Sequence, residues 1–159
     1  MAYEPAVIET WIYETLQGDA TLQGLLATGN LPANYQVGVY SMVAPQIDPV
    51  SRLQPSTPYI VFGRAGSGGN DTAGLCGARL FTYPVYAVVV WDTQSGAVSA
   101  LASQTIMNRI DTLLDNQMVT TTTPRFFCRR ESTAQTFALS EGGRTDIGVV
   151  GNYKIVTQN

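Results

Sequence analysis

A chain of 159 residues has single-domain size and can bury roughly 70% of its unfolded surface, so it needs no disulfide or metal to hold together. Its formal charge of −3 and charged fraction of 13%, against a typical value of about 25%, leave no electrostatic footprint for wrapping nucleic acid. They suggest instead a neutral surface of the kind that partners cover.

The first segment is helical by periodicity. Val7, Ile8, Trp11, Ile12, Thr15 and Leu16 recur at three- and four-residue spacing and form one stripe. Pro5 suits the first turn, where its missing N–H costs nothing. Gly18 stops the helix, and Asp19 can cap a shorter one carrying Leu22, Leu25 and Leu26, expected to end near Gly29–Asn30. Val37–Val43 reads as a loosely alternating strand that ends at Ala44-Pro45, and residues 48–57, with Pro49 and Pro55, read as an exposed loop. Pro58 then opens a short β-rich run, Tyr59-Ile60-Val61-Phe62. Residues 63–79 hold the Gly-, Ser- and Asn-rich stretch and are expected to form a flexible loop or hairpin arm.

The strongest strand is Leu80–Trp91. Tyr86, Val88 and Val90 point one way and Val85, Ala87, Val89 and Trp91 the other, so both faces are apolar near its end and both need cover. Pro84 places the early part at an edge or bulge. The best helix follows over Ala97–Asp115, with Val98, Leu101, Ala102, Ile106, Ile110, Leu113 and Leu114 as its apolar stripe and Asn116 as its end. The four threonines 120–123 before Pro124 read as extended chain. Arg125–Arg130, Thr136–Leu139 and Ile147–Val156 are the closing strands, with Glu141-Gly142-Gly143-Arg144 as a turn. Helices, strands, a long helix and strands again give one α+β domain over 1–159: a mainly antiparallel sheet with two to three helices packed on it, one of them long and following the central strand.

An enzyme reading meets an obstacle in the absence of histidine, the usual general base and the commonest metal ligand. Gly66-Ser67-Gly68-Gly69 lacks the lysine and helix start of a phosphate loop. Asp111 and Asp115 share a helix face that reads as solvated, and Cys128 has no partner base to activate it. No catalytic residue, cofactor or metal is expected. Phe126, Phe127, Arg129 and Arg130 imitate a single-strand nucleic-acid platform, but alternation puts Phe126 and Cys128 on one face and Phe127 and Arg129 on the other, which core packing also explains. No apolar run approaches the roughly 20 residues of a membrane span. The acidic first segment lacks a signal peptide's basic start, so synthesis and retention in a cytoplasm before any assembly are expected.

Charge is unevenly spread. Residues 1–119 hold nine of the twelve acids and four of the nine bases, whereas residues 120–159 hold three acids and five bases (Arg125, Arg129, Arg130, Arg144, Lys154). An acidic end and a basic end on one chain can pair head-to-tail between neighbours, as in a heterologous ring.

Several short motifs stand in order: Gly18-Asp19-Ala20-Thr21-Leu22-Gln23-Gly24-Leu25-Leu26, then Val39-Tyr40 and Val43-Ala44-Pro45-Gln46, then Pro58-Tyr59-Ile60-Val61-Phe62-Gly63-Arg64 with Gly66. The helix Ala97–Asp115 and the strand Tyr153–Val156 follow them. In this order the chain resembles the tail-terminator, or tail-completion, family of long-tailed phages and prophages. Residues 28–35 and 47–57 read as insertions relative to compact members. The resemblance implies a virion protein of the tail or neck, assembled in the host bacterial cytoplasm as a homo-oligomeric ring, usually of six subunits. Such a ring caps the tail tube, ends its polymerisation and joins it to the head connector. The implied partners are further copies of the chain, the tail tube protein and the connector or stopper protein. DNA passes through without specific binding, since acidic groups repel phosphate. On that expectation Glu4, Glu9, Glu14 and Asp48 line the channel or an interface, Arg125, Arg129 and Arg130 lie at subunit contacts, and Ser67, Asn70, Asp71 and Thr72 form a partner-contact loop, with residues 67–74 ordering on assembly. The alternatives are another neck ring, a stopper or adaptor, and a small monomeric binding domain.

Overall fold

The computed structural model describes residues 5–26, 35–36, 38–44, 52, 54–66, 70–71, 81–93, 99–132, 134–141 and 144–158. In chain order these form α1 (Pro5–Gly18), α2 (Ala20–Leu26), β1 (Tyr35–Gln36), β2 (Val39–Ser41), β3 (Gln54–Pro55), β4 (Tyr59–Gly66), β5 (Asn70–Asp71), β6 (Phe81–Thr82), β7 (Val85–Thr93), α3 (Ser99–Leu114), β8 (Gln117–Val119), β9 (Phe126–Arg130), β10 (Gln135–Glu141) and β11 (Arg144–Gln158). Among the described residues nine strands share one sheet, and β1 and β3 pair separately in parallel. The class is α+β, with every pairing in the large sheet antiparallel except β2 with β4. The described residues hold three helices, the long one after the central strand β7.

β11 organises the sheet because its 15 residues outreach any single neighbour. One flank pairs with β7 and then β6, and the other with β10 and then β9. Pro84 is where the first flank breaks: it lies between β6 and β7, and its carbonyl accepts the Ile155 N–H at 2.9 Å. The predicted strand Leu80–Trp91 is thus two strands, broken where a ring without an N–H interrupts the ladder.

The core lies between the helices and one face of the sheet. Ile8, Ile12 and Leu16 of α1 and Leu22 and Leu26 of α2 are buried there with Tyr86, Val88, Val90, Val149, Tyr153 and Ile155. Burying a side chain of this size stabilises by about 1.5–3 kcal/mol. Phe126 and Cys128 join the same core while Phe127 is half-buried and Arg129 exposed, as strand alternation requires.

In α3 the predicted stripe is rotated. Ser103, Ile106, Met107, Ile110 and Leu114 face the core, whereas Leu101 is 68% exposed and Ala102 is also exposed. Five residues separate Leu101 from Ile106, about 140° around the helix, so the two cannot share a narrow face. Leu101 lies instead with exposed Thr105, whose hydroxyl donates to the Leu101 carbonyl at 2.9 Å. Asn116 ends the helix in a left-handed conformation (φ 57°). Residues 121–124 are a run of bends and not extended chain. Gly63–Gly66, expected to open a loop, continue β4 alongside β7 past an irregularity between Arg64 and Gly66. The expected end of α2 at 29–30 lies outside the described residues.

Asp19 caps α2 as its position suggests: Oδ1 accepts the Leu22 N–H at 2.7 Å. The same carboxylate is bridged twice by Arg109 of α3, at 3.0 and 2.6 Å, which fastens the short helix to the long one. The Arg109 guanidinium, followed by the Leu22 amide, holds the Asp19 carboxyl below its ordinary value of 3.8. A depressed folded-state value contributes stability above pH 3.8 that is lost as pH falls through that depressed value. Asp19→Ala should therefore cost about 1–2 kcal/mol at neutral pH for the lost cap alone. The deficit in urea midpoint should shrink as the pH is lowered below 3.8. A deficit unchanged by pH would mean that the carboxylate's charge plays no part.

Candidate functional site

The site residues expected from sequence separate into three groups. Glu9 is half-buried and Glu14 exposed on α1, whereas Glu4 and Asp48 lie outside the described residues. Asn70 and Asp71 form β5 and pair with Thr82 and Phe81 of β6; Ser67 and Thr72, and with them most of the 67–74 segment, are outside the described residues. Arg125 and Arg129 are exposed at the start of β9 and along it.

Arg130 is used internally. It forms an ion pair with Asp111 of α3, its Nε donates to the Ser132 carbonyl at 2.7 Å, and its backbone N–H donates to Asp115 at 2.7 Å. The Tyr153 hydroxyl of β11 donates to the other oxygen of Asp111. Asp111 and Asp115 therefore do not form the solvated face expected of them. Spaced four residues apart, they reach from one side of α3 onto β9 and β11. Burial pushes the Tyr153 phenol well above its ordinary value, so it stays protonated and remains the donor. Burial, with Asp115 nearby, also raises the Cys128 thiol, which leaves it a core-filling group and not a nucleophile.

The opposite face of the sheet can be read from register. Tyr59, Val61 and Gly63 of β4 pair with Trp91, Val89 and Ala87 of β7. These in turn pair with Gly148, Val150 and Asn152 of β11. Phe137 of β10 sits opposite Gly148 and meets Trp91 edge-on at 5.2 Å. A Cβ at position 148 would lie 2.3 Å from the Phe137 ring, so any larger residue there must push that ring aside. Further along the same face an open cleft of about 300 Å³ is lined by Tyr83, Phe127, Arg129, Glu131, Lys154 and Val156. Lys154 pairs with Arg129 across the strands, and its ammonium lies 4.7 Å from the Tyr83 ring centroid. The cleft thus holds two cations and one carboxylate, Glu131, beside apolar groups.

At the end of β7, Thr93 donates its hydroxyl to Asp146 at 3.0 Å and its N–H to Asp92 at 2.8 Å. Burial, above all, raises the Asp92 carboxyl. Among the described residues no three His, Cys, Asp or Glu side chains cluster as metal ligands, and no helix is long and apolar enough to cross a membrane.

Sequence reading missed Lys154 and the Asp111–Arg130–Tyr153 cluster. Local spacing could have placed Lys154 and Arg129 on outward strand positions. It carries no signal for the register that sets them side by side.

No protein-family model and no curated protein matches the chain. Among solved structures it resembles a chain from the virion of a native gene transfer agent (GTA) particle. The TM-score is 0.57 at 17% identity, over 99% of this chain and 100% of that one. A second solved structure matches with a TM-score of 0.55 at 13% identity, over 97% of this chain and 96% of the other. At such identities the likeness is one of fold.

Proposed function

We propose that this chain is a structural virion protein, a tail-terminator subunit that closes into a ring on the end of a long-tailed phage's tail tube. There it ends tube growth and offers the surface that joins the head connector. The observation that carries the reading is the end-to-end correspondence of fold with a chain of a gene transfer agent virion. It is joined by the ordered motifs described above. The ring is of six copies by the family resemblance. Its place is the tail or neck of the virion, and DNA passes through without specific contacts.

The exposed cations support a head-to-tail contact. Arg125 and Arg129 are exposed, Arg129 lines a cleft with the half-buried Lys154, and Glu14 is exposed and Glu9 half-buried on α1, in the acidic part of the chain. Complementary rims of this kind steer association more than they add affinity. Arg125→Glu with Arg129→Glu should slow ring formation on the order of tenfold at low salt. The difference should narrow as salt screens the contact, while the thermal midpoint of the subunit stays unchanged. Light scattering after dilution into each salt measures it; equal rates for variant and parent at low salt would remove charge pairing from the account. The termination role itself is tested by adding the chain to polymerising tail tube subunits and measuring tube length by electron microscopy. Tubes should stop growing and carry one terminal ring. Unrestricted growth with the chain left in solution would contradict the role.

A further inference from the structure

The charged cleft on the outer face of the sheet is one carboxylate short of balance. Phe126, Cys128, Tyr153 and Ile155 point into the core. Alternation therefore turns Phe127, Arg129, Lys154 and Val156 to the other face, where they line the cleft with Tyr83 and Glu131. Arg129 and Lys154 are direct partners across β9 and β11, and like charges so placed repel. Among the described residues neither is ion-paired. Lys154 rests against the Tyr83 ring, 4.7 Å from its centroid, and Arg129 is exposed. With Glu131 as the one acid of the lining, two cations leave a local charge of +1 in an open cleft of about 300 Å³.

The opposite side of the subunit carries a matching group. Trp11 meets Phe126 edge-on at 5.2 Å, which sets α1 over β9 on the core side, with the sheet between it and the cleft. Ile8, Ile12 and Leu16 face that core. Glu14 follows Ile12 by two residues, about 200° around the helix, and so faces away from it. The other acids of residues 5–119 whose side chains are described are held within the subunit. Asp19 holds Arg109, Asp92 accepts the Thr93 N–H, Asp111 pairs with Arg130, Asp115 accepts the Arg130 N–H, and Glu9 is half-buried. Glu14 is exposed and has no ion-pair partner among the described residues. Beside it Tyr13 is 44% exposed, an aromatic of the kind enriched where proteins meet.

We infer that Glu14 of one copy enters the cleft of the next and sits between Arg129 and Lys154, with Tyr13 against the apolar wall. The two surfaces differ and lie on opposite faces of the subunit. Each copy thus offers a plug on one side and a socket on the other, the heterologous arrangement a ring needs. The sheet bars the same contact within one chain. A carboxylate from the neighbour relieves the repulsion between the two cations, and the charge match sets register and speeds encounter. The inference rests on the ring reading above and names the side chains that make the contact.

Charge reversal on each side tests the contact. Glu14→Lys and Lys154→Glu, each in the full-length chain, should keep the parent's thermal midpoint. Each should raise the concentration for half assembly, read by light scattering, on the order of tenfold. An equimolar mixture of the two should return to within about threefold of the parent, because subunits alternating round an even-numbered ring restore an opposite pair at every contact. Glu14→Cys combined with Arg129→Cys gives a second readout that does not depend on an acid being tolerated at half-buried Lys154. A helix and the sheet separate the two positions within a chain, beyond the roughly 7 Å between Cα atoms that a disulfide spans. The double variant should oxidise to a ladder above dimer that neither single variant gives. A parent that assembles alongside a folded Lys154→Glu variant that assembles equally well, or a mixture of folded variants no better than its components, would overturn the contact and leave the ring standing. Glu14→Cys alone linking dimers as readily as the double variant would overturn it in favour of α1 meeting α1. A parent that stays monomeric at every concentration would overturn the ring and the contact with it.

Discussion

Phe126→Ala should cost about 3–5 kcal/mol of folding stability, the range for a fully buried aromatic truncated to alanine. Phe126 is buried at the start of β9 and meets Trp11 of α1 edge-on at 5.2 Å. It thus ties the first helix to the strand on the far flank of β11. Such pairs add about 0.5–1.5 kcal/mol beyond the area they bury. Phe127→Ala, one residue on, removes a half-buried ring on the opposite face, and the monomer should lose much less. Urea unfolding with an unchanged slope would measure both. Equal losses would mean that the two faces of β9 are packed alike, contrary to the alternation described.

Arg130→Met should be nearly as damaging, for a different reason. Removing one partner of a buried ion pair leaves the other charge uncompensated, at about 3–5 kcal/mol. Here the side chains of Arg130 and Asp111 keep 19% and 20% of their exposure, so water offsets part of the loss and about 2–4 kcal/mol is expected. Adding Asp111→Leu should recover part of it, because no carboxylate is left uncompensated, while the Tyr153 hydroxyl loses its acceptor. The double-mutant cycle separates the cost of an orphaned carboxylate from loss of packing. If Asp111→Leu deepened the damage by its full independent cost, the pair would not be acting as a unit. The contrast with Arg129 is instructive. The neighbouring arginine points to the other face, and its replacement should change assembly while leaving stability alone.

These two residues also mark how far the sequence could be read. The periodic elements were legible: the stripe Ile8, Ile12 and Leu16, the cap at Asp19, the alternation of β7 and β9, and the stop at Asn116 all arise from interactions within a few residues. The two-sided apolar character of β7 was legible as well, since Tyr86, Val88 and Val90 are buried and Val89 and Trp91 half-buried on the other side. Leu101 departs from the expected α3 stripe because an apolar residue near a helix start need not share the buried face. Short strands such as β8 and β3 offer too few residues for a period of two to register. Pairings of β11 with β6, β7, β9 and β10 span from a few to more than seventy residues of chain. Register between strands so distant depends on how side chains interlock, not on local spacing. The Asp111–Arg130–Tyr153 cluster lies at the meeting point of three such elements. For that reason Asp111 reads as solvated from its helix alone, and nothing local signals the internal ion pair of Arg130.

The proposed ring fixes what the purified chain should weigh under native conditions. Native mass spectrometry across a concentration series should give one discrete closed species, six subunits by the family resemblance, with few larger forms. It should persist in moderate salt and bind to the ends of tail tubes when these are supplied. A chain of 17.1 kDa that stays monomeric at every concentration and leaves tube ends bare would contradict the account.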